Sequence, residues 1–315
     1  MDINILKSKK PKILITGANG LLGQKIIKEI LIEGKYEAIA TGRGSCRLPT
    51  EWRGYVYEEM DITKPSEVLA IFKAYAPQYV IHAASMTDVD RCEVNRHTCF
   101  EQNVTATLNI MKGCELVKSH LIFISTDFIF DGKNGPYDEL AKPNPLNYYG
   151  KTKIETEIAV QKYKHNWTIV RTNLVYGIAH DMSRSNIVLW VKKGLEQNKE
   201  LSLVDDQFRT PTLAEDLAKG CLLIVEKNAT GIYNISGDEL LSPYDMAMLT
   251  VKFFELDPKG IKKTDSSVFS QVASRPLRTG LDISKAKNIL NFKPKTFEEG
   301  IEIMAKQIKL ANYKI

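Results

Sequence analysis

The 315-residue sequence has only five cysteines, Cys46, Cys92, Cys99, Cys114 and Cys221, and no two of them form a C-x-x-C pair. An odd count without that spacing speaks against a disulfide framework and a cysteine zinc site; a reducing, cytoplasmic setting is expected. Histidine is as sparse. His82, His97, His120, His165 and His180 show neither H-x-x-x-H nor H-E-x-x-H spacing, so no metal is expected. There is no uninterrupted run of about eighteen apolar residues. The opening MDINILKSKKPKILITG also lacks an apolar stretch before a small-residue cleavage site, so neither a membrane span nor export is expected. Internal repeats, low-complexity tracts and Gly/Ser linkers are absent as well. The net charge of +5 is small and spread along the chain, which argues against a nucleic-acid surface.

What is present is globular. Hydrophobic residues make up 43% and charged residues 26%, which excludes a disordered or collagen-like chain. The length suits one large domain with a smaller one. Through the first half, short β-branched runs (KILITG, YEAIATG, YVIHAAS, HLIFIST) alternate with helix-length amphipathic runs (LLGQKIIKEILIEG, SEVLAIFKAY). That alternation predicts an α/β fold, a Rossmann-type doubly wound parallel sheet with helices on both faces. A dinucleotide-binding domain is expected over 1–177 and a smaller, mixed α/β substrate lobe over 178–315, with segment 212–237 a candidate to return to the sheet. Ser242-Pro243 with Asp245, and Thr296 with Glu299, read as capped helix starts.

GANGLLG (17–23) follows a strand and opens a helix. Gly17, Gly20 and Gly23 fall where a tight turn, backbone approach to a diphosphate and helix-sheet packing need no side chain. Asn19, Leu21 and Leu22 of the same loop are counted with them as cofactor contacts. The second strand ends in Thr41-Gly42-Arg43, with no acid to accept from a ribose 2′-hydroxyl. A guanidinium suits a 2′-phosphate, so NADPH is favoured, with NADH the alternative; an arginine exposed in a loop is the plain reading of Arg43. Asp61, with Ile62 beside it, ends the third strand where an adenine amino group would meet it, or else it caps the following helix.

In YYGKTK (148–153), residues four apart share a helical face, so Tyr149, not Tyr148, aligns with Lys153. A phenol has a pKa near 10, and a neighbouring ammonium is expected to lower it, which makes the pair useful for proton transfer. Thr126, at the end of HLIFIST, adds a hydroxyl at the carboxyl edge of the sheet, where doubly wound folds place ligands.

GANGLLG, HAASMTDVDRCE (82–93), STDFIFDG (125–132), PYDE (136–139), PLNYYGKTKIETE (145–157), VRTNLVYG (170–177), DQFRTPTLAEDLA (206–218) and RPLRTGLD (275–282) run in order along nearly the whole chain. Together they resemble the dTDP-4-dehydrorhamnose reductase family of extended short-chain dehydrogenases. The resemblance implies a catalytic triad of Thr126, Tyr149 and Lys153. It also implies Ala83 and Ala84 beside the nicotinamide ribose and a helix asparagine at Asn103. The implied reaction is NADPH-dependent reduction of the C4 ketone of a nucleotide-linked 4-keto-6-deoxy sugar. In it Tyr149 donates the proton, Thr126 hydrogen-bonds the carbonyl oxygen, and Lys153 holds the ribose and depresses the phenol pKa.

Sugar-nucleotide dehydratases carry Asp-Glu after the threonine; Asp127-Phe128 stands here. The chain departs from the family at Phe128, where tyrosine is usual, and at Phe208-Arg209-Thr210, where the family carries a glycine. The regulatory β subunit of methionine adenosyltransferase is similar in fold and motifs, so a cofactor-bound regulatory subunit is the alternative. Arg184, Arg209, Arg275 and Arg278 fall in the second lobe. Arg275, in the family's arginine-proline motif, is the preferred substrate-diphosphate contact, and Arg209 the second. A monomer or homodimer is expected.

Overall fold

The computed structural model describes residues 10–181, 185–269 and 271–310; Arg184 lies outside them. In chain order the first half runs β1 (Lys12–Thr16), α1 (Leu21–Glu33), β2 (Glu37–Gly42), β3 (Tyr55–Glu59), α2 (Pro65–Tyr75) and β4 (Tyr79–His82). It continues with α3 (Val89–Val94), α4 (Arg96–Phe100), α5 (Ala106–Val117), β5 (His120–Thr126), α6 (Tyr148–Gln161) and β6 (Trp167–Thr172). A seventh strand, Gly231–Asn234, pairs in parallel with β6, in the order seventh-β6-β5-β4-β1-β2-β3. Every pairing in this sheet is parallel.

The strands read as unbroken apolar runs because both faces are covered. In β1, Ile13 and Ile15 join the core beneath α1 and the helix Ala214–Lys227, whereas Leu14 joins the opposite core against α2 and α5. Strand order reverses between β1 and β4, which opens a crevice above their carboxyl ends.

The chain beyond β6 adds a short parallel pair, Leu201–Val204 with Ile261–Thr264, and the helices Ile187–Glu196, Pro243–Phe254 and Phe297–Leu310. Ser242 starts the second of these helices with a full capping box closed by Asp245. Segment 273–281 returns to the first half of the chain. Ala273 donates to Asp90, Ser274 accepts from Asn147, and Tyr137 bridges Leu281. No helix among the described residues is long and apolar enough to cross a membrane.

Candidate active site

Gly17 turns the chain out of β1 at φ +72, where an L side chain is strained, and a Cβ there would lie 3.0 Å from the Ala84 backbone. The glycine loop and Ala83-Ala84 therefore meet at the crevice. Gly20 begins α1 with no side-chain cap, so the first helical turn faces the crevice with its backbone. A Cβ on Gly23 would collide with the Gly17 carbonyl and stand 2.7 Å from the Ala18 Cα. Leu21 and Leu22 are half-buried at the helix start.

Asn19 does a different job from a direct ligand contact. Its Nδ2 donates to the Ser45 carbonyl (3.0 Å) and the Tyr57 hydroxyl (2.9 Å), and its Oδ1 accepts from the Arg47 amide (2.8 Å). It ties the glycine loop to the loop after β2. Arg43 stands exposed at the end of β2, and Asp61 feels its charge. Asp61 itself accepts from the Thr63 amide (2.9 Å) and hydroxyl (2.8 Å), closing the turn before α2. Burial pushes the Asp61 carboxyl up, but the Thr63 bonds and Arg43 bring it net below its ordinary value. Of the two roles left open for Asp61, the turn is the one these bonds make. Ile62 packs against the core under α2 and offers its carbonyl to Asn109 (3.1 Å).

The helix α6 buries an unusual stripe. Tyr149, Thr152, Lys153, Thr156, Glu157 and Val160 recur at helical spacing on its inner face, and all but Val160 carry polar atoms. Asn147 caps it by accepting from the Gly150 amide (2.9 Å). Gly150 lies against the Phe128 carbonyl, where no Cβ would fit, so the helix start is pressed onto the turn after β5. This packing brings Tyr149 beside Thr126, whose hydroxyl interacts with the phenol. Lys153 Nζ donates to the Ile124 carbonyl (2.7 Å) and lies 4.1 Å from the centre of the Phe123 ring. Beneath it Glu157, 1% exposed, accepts from Ser125 (2.5 Å) and from Arg171 (2.8 and 3.2 Å).

The expectation that Lys153 depresses the Tyr149 pKa is corrected here. Burial, the largest influence, pushes the phenol up; Thr126 opposes it, and Asp127, Cys92 and Cys99 add to it. Lys153 is not among these main influences. Burial pushes its own ammonium down to about 7, against the pull of Glu157.

Asn103 is likewise a tie. It is buried on a π-helical turn (Glu101–Thr105), and its Oδ1 accepts from the Ser85 hydroxyl (2.9 Å) and the Met86 amide (2.7 Å). Its Nδ2 donates to the Met86 carbonyl (3.1 Å) and Thr152 (3.2 Å), so it fixes the loop after β4 against α6. The two second-lobe arginines are engaged too. Arg209 is 6% exposed and donates to the carbonyls of Phe208 (2.8 Å), Pro276 (2.6 Å) and Leu277 (3.1 Å). Engaged in this way, the guanidinium holds segment 276–277 in place. Arg275 grips Asp90 with two bonds (2.7 and 3.0 Å).

Sequence reasoning missed Asp127. Its carboxylate accepts from Thr126 (3.1 Å) and from Thr279, and Arg209 Nε lies 3.7 Å away. The only signal was its place beside Thr126 in STDFIFDG. Glu157 had a clearer one, four residues beyond Lys153 on the same face. Among the described residues no group of three or more His, Cys, Asp or Glu is placed to hold a metal.

Over residues 11–310 the chain matches the model of the RmlD substrate binding domain family. It belongs to this family. Methionine adenosyltransferase 2 subunit beta of Xenopus tropicalis is 32% identical over 88% of this chain and 81% of its own. A dTDP-4-dehydrorhamnose reductase of Aggregatibacter actinomycetemcomitans is 28% identical over 92% of this chain and 97% of its own. The solved structure of dTDP-4-dehydrorhamnose reductase from Bacillus anthracis, in complex with NADP, superposes with a TM-score of 0.81 at 26% identity, covering 95% of this chain and 99% of that one. The fold and family expected from the ordered motifs are thus those found.

Proposed function

We propose that the chain reduces the C4 ketone of a nucleotide-linked 4-keto-6-deoxy sugar with NADPH, as a dTDP-4-dehydrorhamnose reductase of deoxysugar and cell-surface polysaccharide formation does. The observation that carries this reading is the meeting of Thr126, Tyr149 and Lys153 at the carboxyl edge of the sheet, beside a glycine loop whose Cβ-free surface is shaped for a dinucleotide. The residues fit that group. Gly17, Gly20 and the open first turn of α1 would hold the diphosphate, Arg43 a 2′-phosphate, and Ala83, Ala84 and Lys153 the nicotinamide ribose. When bound, the reduced nicotinamide supplies the hydride.

Tyr149 does the proton work. Burial keeps its phenol protonated well above neutral pH, so it enters the reaction as a donor and delivers its proton to the ketone oxygen. Met86, Cys92, Cys99 and Phe128 pack around the Tyr149 ring and shield it from bulk water. The test is oxidation of NADPH with an enzymatically generated dTDP-4-keto-6-deoxy sugar. Tyr149→Phe should lose roughly a hundred- to ten-thousandfold in kcat while binding NADPH normally, and Tyr148→Phe should stay within a few-fold. No turnover by the wild type, despite tight NADPH binding, would defeat the reading.

A second reading is favoured by the 32% identity to methionine adenosyltransferase 2 subunit beta. On it the chain is a cofactor-bound regulatory subunit. It would then form a stoichiometric complex with a methionine adenosyltransferase catalytic chain in a pull-down, and leave keto sugars untouched.

A further inference from the structure

The loop after β4 brings Ala83 and Ala84 to the crevice, and a line of hydrogen bonds through the interior fixes the Ala84 backbone. The Ala84 amide donates to the hydroxyl of Thr16 (3.2 Å), the last residue of β1 before the Gly17 turn. Thr16 Oγ1 lies 2.7 Å from His82 Nδ1, and His82 Nε2 lies 3.0 Å from Thr107 Oγ1. The Thr107 hydroxyl donates in turn to the Asn103 carbonyl (2.6 Å). Thr16, His82 and Thr107 are each at most 1% exposed, so these groups must satisfy one another.

The bond directions follow from the far end of the line. A carbonyl only accepts, so Thr107 has committed its one proton to Asn103 and offers His82 a lone pair. His82 Nε2 therefore carries a proton. Burial, and after it the Lys153 charge, push the ring down to about 3, so it is neutral and its Nδ1 is bare. A bare Nδ1 takes the Thr16 proton, which leaves Thr16 with lone pairs only, and one of them holds the Ala84 amide. Asn103 anchors both ends of the loop. Its carbonyl ends this line, and its side chain holds Ser85 and Met86.

We propose that His82, in the tautomer protonated at Nε2, is a positioning residue for the cofactor, orienting Thr16 so that the Ala84 backbone is held where the nicotinamide ribose lies. The proposal rests on the placement of that ribose against Ala83 and Ala84, not on which ketone is reduced. A histidine ending a buried strand also packs, and its ring centre lies 6.0 Å from that of Phe123. Packing alone requires neither nitrogen, and this difference can be measured.

Thr16→Val keeps the size and branching of the side chain but removes the acceptor of Ala84. His82→Phe keeps an aromatic ring but removes the acceptor of Thr16. His82→Asn restores that acceptor, because its amide oxygen stands near the position of Nδ1, while its short side chain leaves Thr107 unpaired. Two probes are titrated into each protein: NADPH, and adenosine 2′,5′-bisphosphate, which has the adenosine end but no nicotinamide ribose. Thr16→Val and His82→Phe should each weaken NADPH roughly three- to tenfold, the effect of one neutral hydrogen bond, and leave the bisphosphate within about twofold. The double variant should bind NADPH no more weakly than Thr16→Val alone, and His82→Asn should stay within about twofold of the wild type for both probes. Nitrogen NMR of the free protein, with the His82 signals identified by their loss in His82→Asn, should show Nε2 protonated and Nδ1 bare at neutral pH. A ring protonated at Nδ1, an unchanged NADPH affinity in Thr16→Val, or equal losses for both probes overturns the proposal, whether or not His82→Phe folds. A wild type that binds no NADPH, or an asparagine no better than phenylalanine, does the same. Neither measurement needs turnover, so a chain that binds NADPH in this way but leaves keto sugars untouched would defeat the reductase reading and leave the role of His82 standing.

Discussion

Lys153 shows how far a single residue can be read before folding. Its alignment with Tyr149 follows from helical spacing, but its environment depends on which strand the helix lands on. It lands with its ammonium against the Ile124 carbonyl and the Phe123 ring, 2% exposed, and burial brings its pKa down to about 7. A lysine that binds its proton less tightly folded than unfolded destabilises the fold while it is charged. The penalty is full below about 7. It diminishes as pH rises toward the ordinary 10.5, where both states are neutral. Lys153→Met should therefore raise Tm most in mildly acid solution, and the gain should fade as pH approaches that upper value. Thermal melts across this range check it, and a gain constant with pH would mean that the ammonium is not desolvated in the native state. The direction of the Tyr149 shift was not legible for the same reason. Spacing names a neighbour but does not report how much water the fold removes.

Elements were more legible than environments. The apolar runs of β1, β4 and β5 announce a sheet covered on both faces, and GANGLLG announces the first turn, because Gly20 and Gly23 meet backbone only a few residues away, although Gly17 also meets the distant Ala84. Gly23 illustrates the constraint: its missing Cβ is what lets α1 sit on the Gly17 carbonyl. Gly23→Ala has nowhere flexible to push, since the atoms it meets are backbone. It should cost about 1–3 kcal/mol of stability and weaken dinucleotide binding, readable in melts with and without NADPH. Arg43, by contrast, is exposed on the rim of the same crevice, so its removal should leave Tm unchanged. Arg43→Ala should instead narrow the gap between NADPH and NADH affinities by about 1.5–3 kcal/mol, the range of a charged hydrogen bond. Equal affinities in the wild type would remove Arg43 from the cofactor site. Less legible was the polar stripe of α6. A helix that buries Thr152, Thr156 and Glu157 has no apolar face to announce its orientation, and only its fixed packing on Phe128 and β5 reveals one.

At the scale of the whole molecule, the second half of the chain does not stand apart from the first. The strand Gly231–Asn234 completes the sheet, and segment 273–281 crosses back to the helix starts of the first half. Such long-range pairings leave no periodic trace, which is why Arg275 could be placed by its motif but not given a partner. That partner is Asp90, on the first turn of α3, and the bonds between them draw the Asp90 carboxyl below its ordinary value. Asp90 also accepts from the Ala273 amide at 3.0 Å, so one carboxylate pins two points of the same segment. Arg275 is then better understood as a latch on the segment that borders the start of α6 than as a free cation awaiting a diphosphate, and the two roles predict different behaviour. If the guanidinium were the diphosphate contact and Asp90 merely its competitor, Asp90→Ala would release it and lower KM for the sugar nucleotide. As a latch, Arg275→Ala and Asp90→Ala should both raise that KM, by about two- to fivefold given the partial exposure of the pair, and both should leave NADPH affinity unchanged. Steady-state kinetics on the two single variants and the double variant decide it. The latch requires the double to be no worse than the worse single, because each substitution opens the same contact.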